Sequence, residues 1–222
     1  MLFDLDETLL DFELAQRRAL AAVLQGLRLP FSTGILDQYR RINDELWERY
    51  RRGQIRSRVL ARERFRRLLE QLGGDQRQAA SLSERFLDAL SARGDLRPGC
   101  RAALGRLGCR FRLGVVTNGI DRVQRARLAA SRLARYFEVV VTSEACGFAK
   151  PDPRILEAAL GALELRPREA VYVGDDVAVD GGAARAAGVP FVWLDRGRPL
   201  PPGARRPRRA VRHLAEIEGL LV

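Results

Sequence analysis

The sequence predicts an α/β fold: a parallel sheet with helices on both faces, interrupted after its first strand by a four-helix insertion. Three observations predict it. From Pro98 onward, short apolar runs alternate with segments of helical periodicity, the pattern of a parallel sheet built from crossover units. Residues 12–94 carry apolar positions only at helical spacing, with no strand-like run. Met1-Leu2-Phe3 reads as the end of a buried strand and is followed at once by two carboxylates, Asp4 and Asp6. The core therefore comprises residues 1–11 and 95–222, and residues 12–94 form an inserted helical domain.

The elements follow in order. The first strand is short, which suggests a native start a few residues upstream. In the insertion, Leu14-Ala15, Leu20, Val23-Leu24 and Leu27 mark a first helix that Leu29-Pro30-Phe31 breaks. A second helix fits residues 32–52 and ends at Gly53. Val59-Leu60, Phe65 and Leu68-Leu69 mark a third, which stops at Gly73-Gly74, and a fourth spans 75–92. Trp47, Tyr50 and Phe65 sit at spacings that usually face a core and are expected to pack there rather than touch a substrate. Beyond Pro98 the pattern predicts helices over 100–107, 120–134, 153–163 and 180–187, strands over 111–116, 137–142, 170–173 and 190–194, and a turn at 199–202. A last short strand over 210–214 and a helix to residue 221 complete the chain.

The 222 residues are 46% hydrophobic, enough for one large domain or a domain with an insertion. No apolar run reaches the length of a membrane span and no signal peptide precedes the first strand, so a cytoplasmic protein is expected. Cys100, Cys109 and Cys146 lack metal-ligand spacing and read as reduced structural thiols. A net charge of +11 raises the question of a nucleic-acid partner. The basic residues are spread over many helical stretches beside acids, as in Arg62-Glu63-Arg64, and read as solvated faces, so nucleic-acid binding is not favoured. Among the 39 basic residues the only lysine is Lys150. Arg and Lys are not interchangeable where a point charge must meet an oxyanion, although composition alone also accounts for one residual lysine.

Two carboxylates one residue apart repel each other unless a cation or a proton compensates, so Asp4-Leu5-Asp6 suggests a divalent metal or an acid/base pair. A polar turn with Thr8 capping the next segment is the plainer alternative. The other polar clusters decide between them. Thr117 and Asn118, then Asp175 and Asp176, each close an apolar strand, and Lys150 precedes a helix. Parallel strands bring their carboxyl ends to one edge of the sheet, so these groups can converge in one crevice. Carboxylates, an ammonium, a hydroxyl and helix N-termini together make a site for Mg2+ and a phosphate.

The order Asp4-Leu5-Asp6-Glu7-Thr8, Val116-Thr117-Asn118, Lys150-Pro151 and Val173-Gly174-Asp175 with Asp180 resembles the haloacid dehalogenase superfamily of phosphohydrolases over the whole chain. The resemblance implies a Rossmann-like core with a helical cap and an aspartyl-phosphate mechanism. It implies that Asp4 is the nucleophile, that Asp6 is the acid and then the base, and that Mg2+ binds Asp4, the Asp6 carbonyl and Asp175. It further implies that Thr117, Asn118, Gly119 and Lys150 bind the phosphoryl group and that Asp176 and Asp180 support the metal's waters. Tyr39, Asn43, Leu46-Trp47, Tyr50, Gly53, Ile55 and Arg64-Phe65, with Thr117-Asn118-Gly119 and Phe148-Ala149-Lys150-Pro151-Asp152-Pro153, look like pyrimidine 5'-nucleotidases acting on noncanonical nucleoside monophosphates. The expected partner is thus a small phosphorylated metabolite, a nucleoside monophosphate before a sugar phosphate or phosphoglycolate, in a monomer or homodimer. A 2-haloacid dehalogenase would not need Asp6 as leaving-group acid, and an inactive basic binding protein would not need Asp4, Asp6, Lys150 and Asp175 together.

Overall fold

Six strands form one parallel sheet among the described residues, 1–200 and 203–220 of a computed structural model. They are β1 (Leu2–Phe3), β2 (Gly114–Thr117), β3 (Val139–Thr142), β4 (Tyr172–Gly174), β5 (Phe191–Leu194) and β6 (Ala210–Val211). Their order across the sheet is β3-β2-β1-β4-β5-β6, and each neighbouring pair is parallel. The order reverses at β1, whose two neighbours are reached in opposite directions, so a crevice opens beyond its carboxyl end.

Successive strand residues point to opposite faces, and both faces are apolar. On one, Phe3, Val115, Val173 and Val192 pack with Ala103, Leu104 and Leu107 of α5 (Cys100–Gly108). On the other, Leu2, Val116 and Tyr172 pack with Ile155, Leu156 and Ala159 of α8 (Arg154–Ala162) and with Ala183 and Ala184 of α9 (Asp180–Ala186). Between α5 and α8 lie α6 (Asp121–Ala130) and the single turn α7 (Ser143–Cys146).

The chain divides into two compact units, Met1–Phe12 with Gly94–Val222, and Glu13–Arg93. The second unit contains α1 (Phe12–Gln25) from Glu13 on, α2 (Thr33–Arg51), α3 (Ser57–Gln71) and α4 (Ala79–Ser91). Ser32 caps α2, its hydroxyl accepting from the Ile35 amide. Tyr39, Phe65 and Phe86 hold this unit's core, with ring centroids 5.2 to 5.6 Å apart. Trp47 and Tyr50 differ from expectation: they stand half-buried, edge to face, and only Phe65 of the three is fully enclosed.

Other departures lie at the ends of elements. The helix expected over 120–134 ends at Ala130, and Arg132 takes a positive φ of 57°. The fourth helix of the insertion opens with a 3-10 turn at Gln76–Gln78. The strand over 210–214 stops at Val211, and the terminal helix is two 3-10 turns, Leu214–Glu216 and Glu218–Leu220, with residue 221 outside the described residues. Pro201 and Pro202 of the expected turn also lie outside them. Thr8 caps nothing: its hydroxyl is buried without a hydrogen-bond partner. Many arginines do pair with acids on exposed helix faces, as Arg66 and Arg67 do with Glu63. Arg64 and Arg127 are exceptions, 4% and 0% exposed, so not every basic residue belongs to a solvated face.

Candidate active site

Asp4 leaves β1 with its amide donating to the Val173 carbonyl, which ties it to the carboxyl edge of β4. Thr117 is the last residue of β2, and Asp175 follows β4 directly. Lys150 lies in the turn between α7 and α8, before a cis peptide bond to Pro151. The Asn118 side chain holds this turn at two points: its Nδ2 donates to the Lys150 carbonyl at 2.9 Å, and its Oδ1 accepts from the Lys150 amide at 2.8 Å. Strand ends and one clasped turn thus bring groups from four distant stretches together.

Lys150 Nζ donates to Asp4 Oδ1 at 2.5 Å, to Asp180 Oδ1 at 2.7 Å and to the Tyr172 hydroxyl at 2.9 Å. Asp4, Asp175 and Asp180 each offer a carboxylate oxygen, all within 4.8 Å of one another. Burial pushes Asp4 up to about 7 against the pull of Lys150, and Asp180 adds to the rise. Burial, then Asp180 and Asp4, push Asp175 up to about 9. Burial alone would lower the Lys150 ammonium, but Asp180 and Asp4 outweigh it and hold it charged above its ordinary range. Lys150 serves Asp4 and Asp180, and Arg198 Nη1 reaches Asp175 Oδ2 at 3.4 Å, so three carboxylates face two cations. The deficit is one of positive charge, and oxygen donors this close with too few cations fit a divalent metal. Asp180 is the least free of the three, since Oδ1 accepts from Lys150 and Oδ2 from the Asp176 amide.

The remaining expected residues are placed differently. Gly119 gives its amide to the Ser143 hydroxyl at 3.0 Å, and Asn118 spends its side chain on Lys150. The Asp176 Oδ1 accepts from the Ala178 and Val179 amides and so shapes the turn into α9. Asp6, with its side chain 25% exposed, pairs with Arg127 and accepts from Gln124 Nε2 at 2.8 Å. The motifs of the sequence do not single out Gln124, Arg127 or Tyr172. The signal for the first two was available: both lie on the buried face of α6 with Val123 and Leu128, where apolar residues are expected. Tyr172 reads from sequence as strand core, and only its hydroxyl's position reveals more.

A sequence model of haloacid dehalogenase-like hydrolases matches residues 1–188. The chain belongs to the haloacid dehalogenase-like hydrolases. Within that family it is 38% identical to a phosphoserine phosphatase of Thermus thermophilus over 173 residues, which cover 72% of this chain and 67% of that one. It is 30% identical to the pyrimidine 5'-nucleotidase YjjG of Escherichia coli over 220 residues, which cover 99% and 96%. The structure of the putative hydrolase YfnB of Bacillus subtilis, described as bound to magnesium, superposes with a TM-score of 0.89 at 27% identity and covers 99% of this chain and 96% of that one. The chain is therefore a hydrolase on this family's fold, and no helix among the described residues is long and apolar enough to cross a membrane.

Proposed function

We propose that this hydrolase is a Mg2+-dependent phosphomonoesterase of the cytoplasm whose preferred substrates are pyrimidine nucleoside monophosphates. The observation that carries the reading is the contact of Lys150 Nζ with Asp4 Oδ1 at 2.5 Å, beside a carboxylate cluster short of positive charge. Asp4 attacks phosphorus in line, the bond to the ester oxygen breaks, and Asp6 gives its proton to the departing alcohol. Asp6 then takes a proton from water as that water attacks the aspartyl phosphate, which frees inorganic phosphate and restores Asp4. Lys150, the Thr117 hydroxyl and the Asn118 amide hold the phosphoryl oxygens as charge develops. The Asp4 and Asp175 carboxylates and the Asp6 carbonyl would hold Mg2+, with Asp176 and Asp180 behind them, and the ion would supply positive charge to offset the phosphate among these acids. The likeness to YjjG over 99% of the chain favours a nucleotide over phosphoserine, because the match to the phosphoserine phosphatase covers only 72%.

The test is a panel of phosphomonoesters with Mg2+, run on the native protein and on Asp4→Asn. Pyrimidine nucleoside monophosphates are expected to give the highest kcat/KM, and Asp4→Asn is expected to lose at least ~1000-fold on all of them with its circular dichroism intact. Near-native turnover by Asp4→Asn removes the nucleophile assignment, and a preference for phosphoserine or phosphoglycolate removes the nucleotide.

A further inference from the structure

Asp6 is held at both carboxylate oxygens by one face of α6. Oδ1 pairs with Arg127 Nη1, and Oδ2 accepts from Gln124 Nε2 at 2.8 Å. The same Gln124 nitrogen donates to Thr117 Oγ1 at 3.0 Å, and Gln124 Oε1 accepts from Arg127 Nη1 at 3.1 Å. Gln124 and Arg127, three residues apart on the helix, therefore form one unit that joins Asp6 to the end of β2.

Two features argue against a packing role. Arg127 is fully buried, lies over the Phe12 ring at 5.3 Å, and leaves Nε and Nη2 without a partner. Unpaired buried donors are destabilising, so an apolar side chain of similar volume would serve stability better than this guanidinium. The close approach of Gln124 also depends on the missing side chain of Gly119: a Cβ there would stand 2.8 Å from Gln124 Cγ and 2.9 Å from its Nε2. The backbone between β2 and α6 is thus shaped to admit a glutamine.

We infer that Gln124 and Arg127 are positioning residues for Asp6, fixing its carboxyl group for both proton transfers and aligning the Thr117 hydroxyl with it. This rests on the assignment of Asp6 as acid and base. Each Asp6 oxygen keeps a second lone pair beyond its contact with the clamp, so the carboxyl can exchange a proton while it is held.

The experiment compares Gln124→Met, Arg127→Met, Arg127→Lys and Gly119→Ala with Asp6→Asn on two substrates: uridine monophosphate, whose alcohol needs a proton to leave, and p-nitrophenyl phosphate, whose phenolate does not. The clamp predicts that Gln124→Met and Arg127→Met lose about 100-fold in kcat on the nucleotide, with KM within about threefold of native. On p-nitrophenyl phosphate they should release one equivalent of nitrophenolate in a burst and then turn over slowly, because water activation in the second step still needs Asp6. Asp6→Asn should show the same burst. Gly119→Ala should follow Gln124→Met, and Arg127→Lys should recover part of the loss. Native kcat on both substrates, a rise in KM alone, or equal losses on both without a burst overturns the inference. Gln124→Met decides the matter if Arg127→Met does not fold. A native protein that turns over neither ester would instead indict the phosphatase reading, near-native turnover by Asp4→Asn the nucleophile, and an Asp6→Asn without a burst the assignment of Asp6.

Discussion

Lys150 Nζ has three oxygens within 2.9 Å, those of Asp4, Asp180 and Tyr172, and the residue is only 2% exposed. An ammonium presents three donors from one small centre and satisfies all three oxygens. A guanidinium is planar and larger, and in this space it must either displace Asp4 or pair with it bidentately. Lys150→Arg is therefore expected to lose about 100-fold or more in kcat despite its conserved charge, and Lys150→Ala at least as much. Steady-state kinetics on both, with circular dichroism to confirm folding, checks this; native-like turnover in Lys150→Arg would mean that charge alone suffices. The candidate site was legible at this scale because Asp4, Asp6, Thr117 and Asp175 are polar residues where an apolar run stops and Lys150 is the one lysine among the basic residues. What stayed hidden were polar residues inside apolar patterns. Tyr172 passes for strand core, although its hydroxyl accepts from Lys150 and lies 3.1 Å from Asp180 Oδ1. Gln124 and Arg127 interrupt the apolar face of α6, a pattern that marks their positions but not the carboxylate they hold.

The junction from β4 into α9 places Asp175 and Asp180 on either side of a tight turn. Gly174 makes it possible: a Cβ there would stand 2.4 Å from Asp180 Oδ2 and 2.5 Å from its Cγ. Asp180 cannot yield freely, because its two oxygens are bonded to Lys150 and to the Asp176 amide. Gly174→Ala should accordingly cost about 1–3 kcal/mol in a urea melt and weaken Mg2+ binding by calorimetry; an unchanged midpoint would show that the turn has slack. The order of strands and helices was legible from periodicity, but several ends were not. Residues 129–134 read as good helix, yet α6 stops at Ala130 because tertiary neighbours take its end. The Ser131 carbonyl accepts from Arg101 at 3.0 Å, and Gly94 lies so near that its Cβ would fall 2.3 Å from the Ser131 amide nitrogen. The single turn α7 is too short for periodicity to mark, and its ends are set by the Thr142 hydroxyl and by Gly147 at a φ of 81°.

Across the whole molecule the net charge is +11, yet its reactive cluster is locally acidic. Exposed pairs such as Arg66 with Glu63 contribute little to stability, whereas the positive field of the protein favours the approach of a phosphorylated anion. The buried acids have a consequence for global stability. Asp175 and Asp4 rise to about 9 and about 7 in the folded, metal-free protein from ordinary values of 3.8. Between those limits these two acids bind more protons in the folded state than in the unfolded chain, so they make the stability of the metal-free protein fall as pH rises, from about pH 4 to 7 through both and on to about 9 through Asp175, opposed between about 6 and 8 by the N-terminal ammonium, which burial lowers to about 6. A divalent cation reverses the balance by favouring the carboxylates and by binding only the folded state. In EDTA the melting temperature should thus drop by several degrees between pH 5.5 and pH 8.5, and millimolar Mg2+ should flatten that slope by stabilising the protein most at the higher pH. Asp175→Asn should lose much of the slope in EDTA and much of the Mg2+ response, since the group that titrates most and one carboxylate of the cluster are removed together. A melting temperature that rises with pH in EDTA, or an Mg2+ effect equal at both ends of the range, would show that these acids are not held uncompensated in the folded protein.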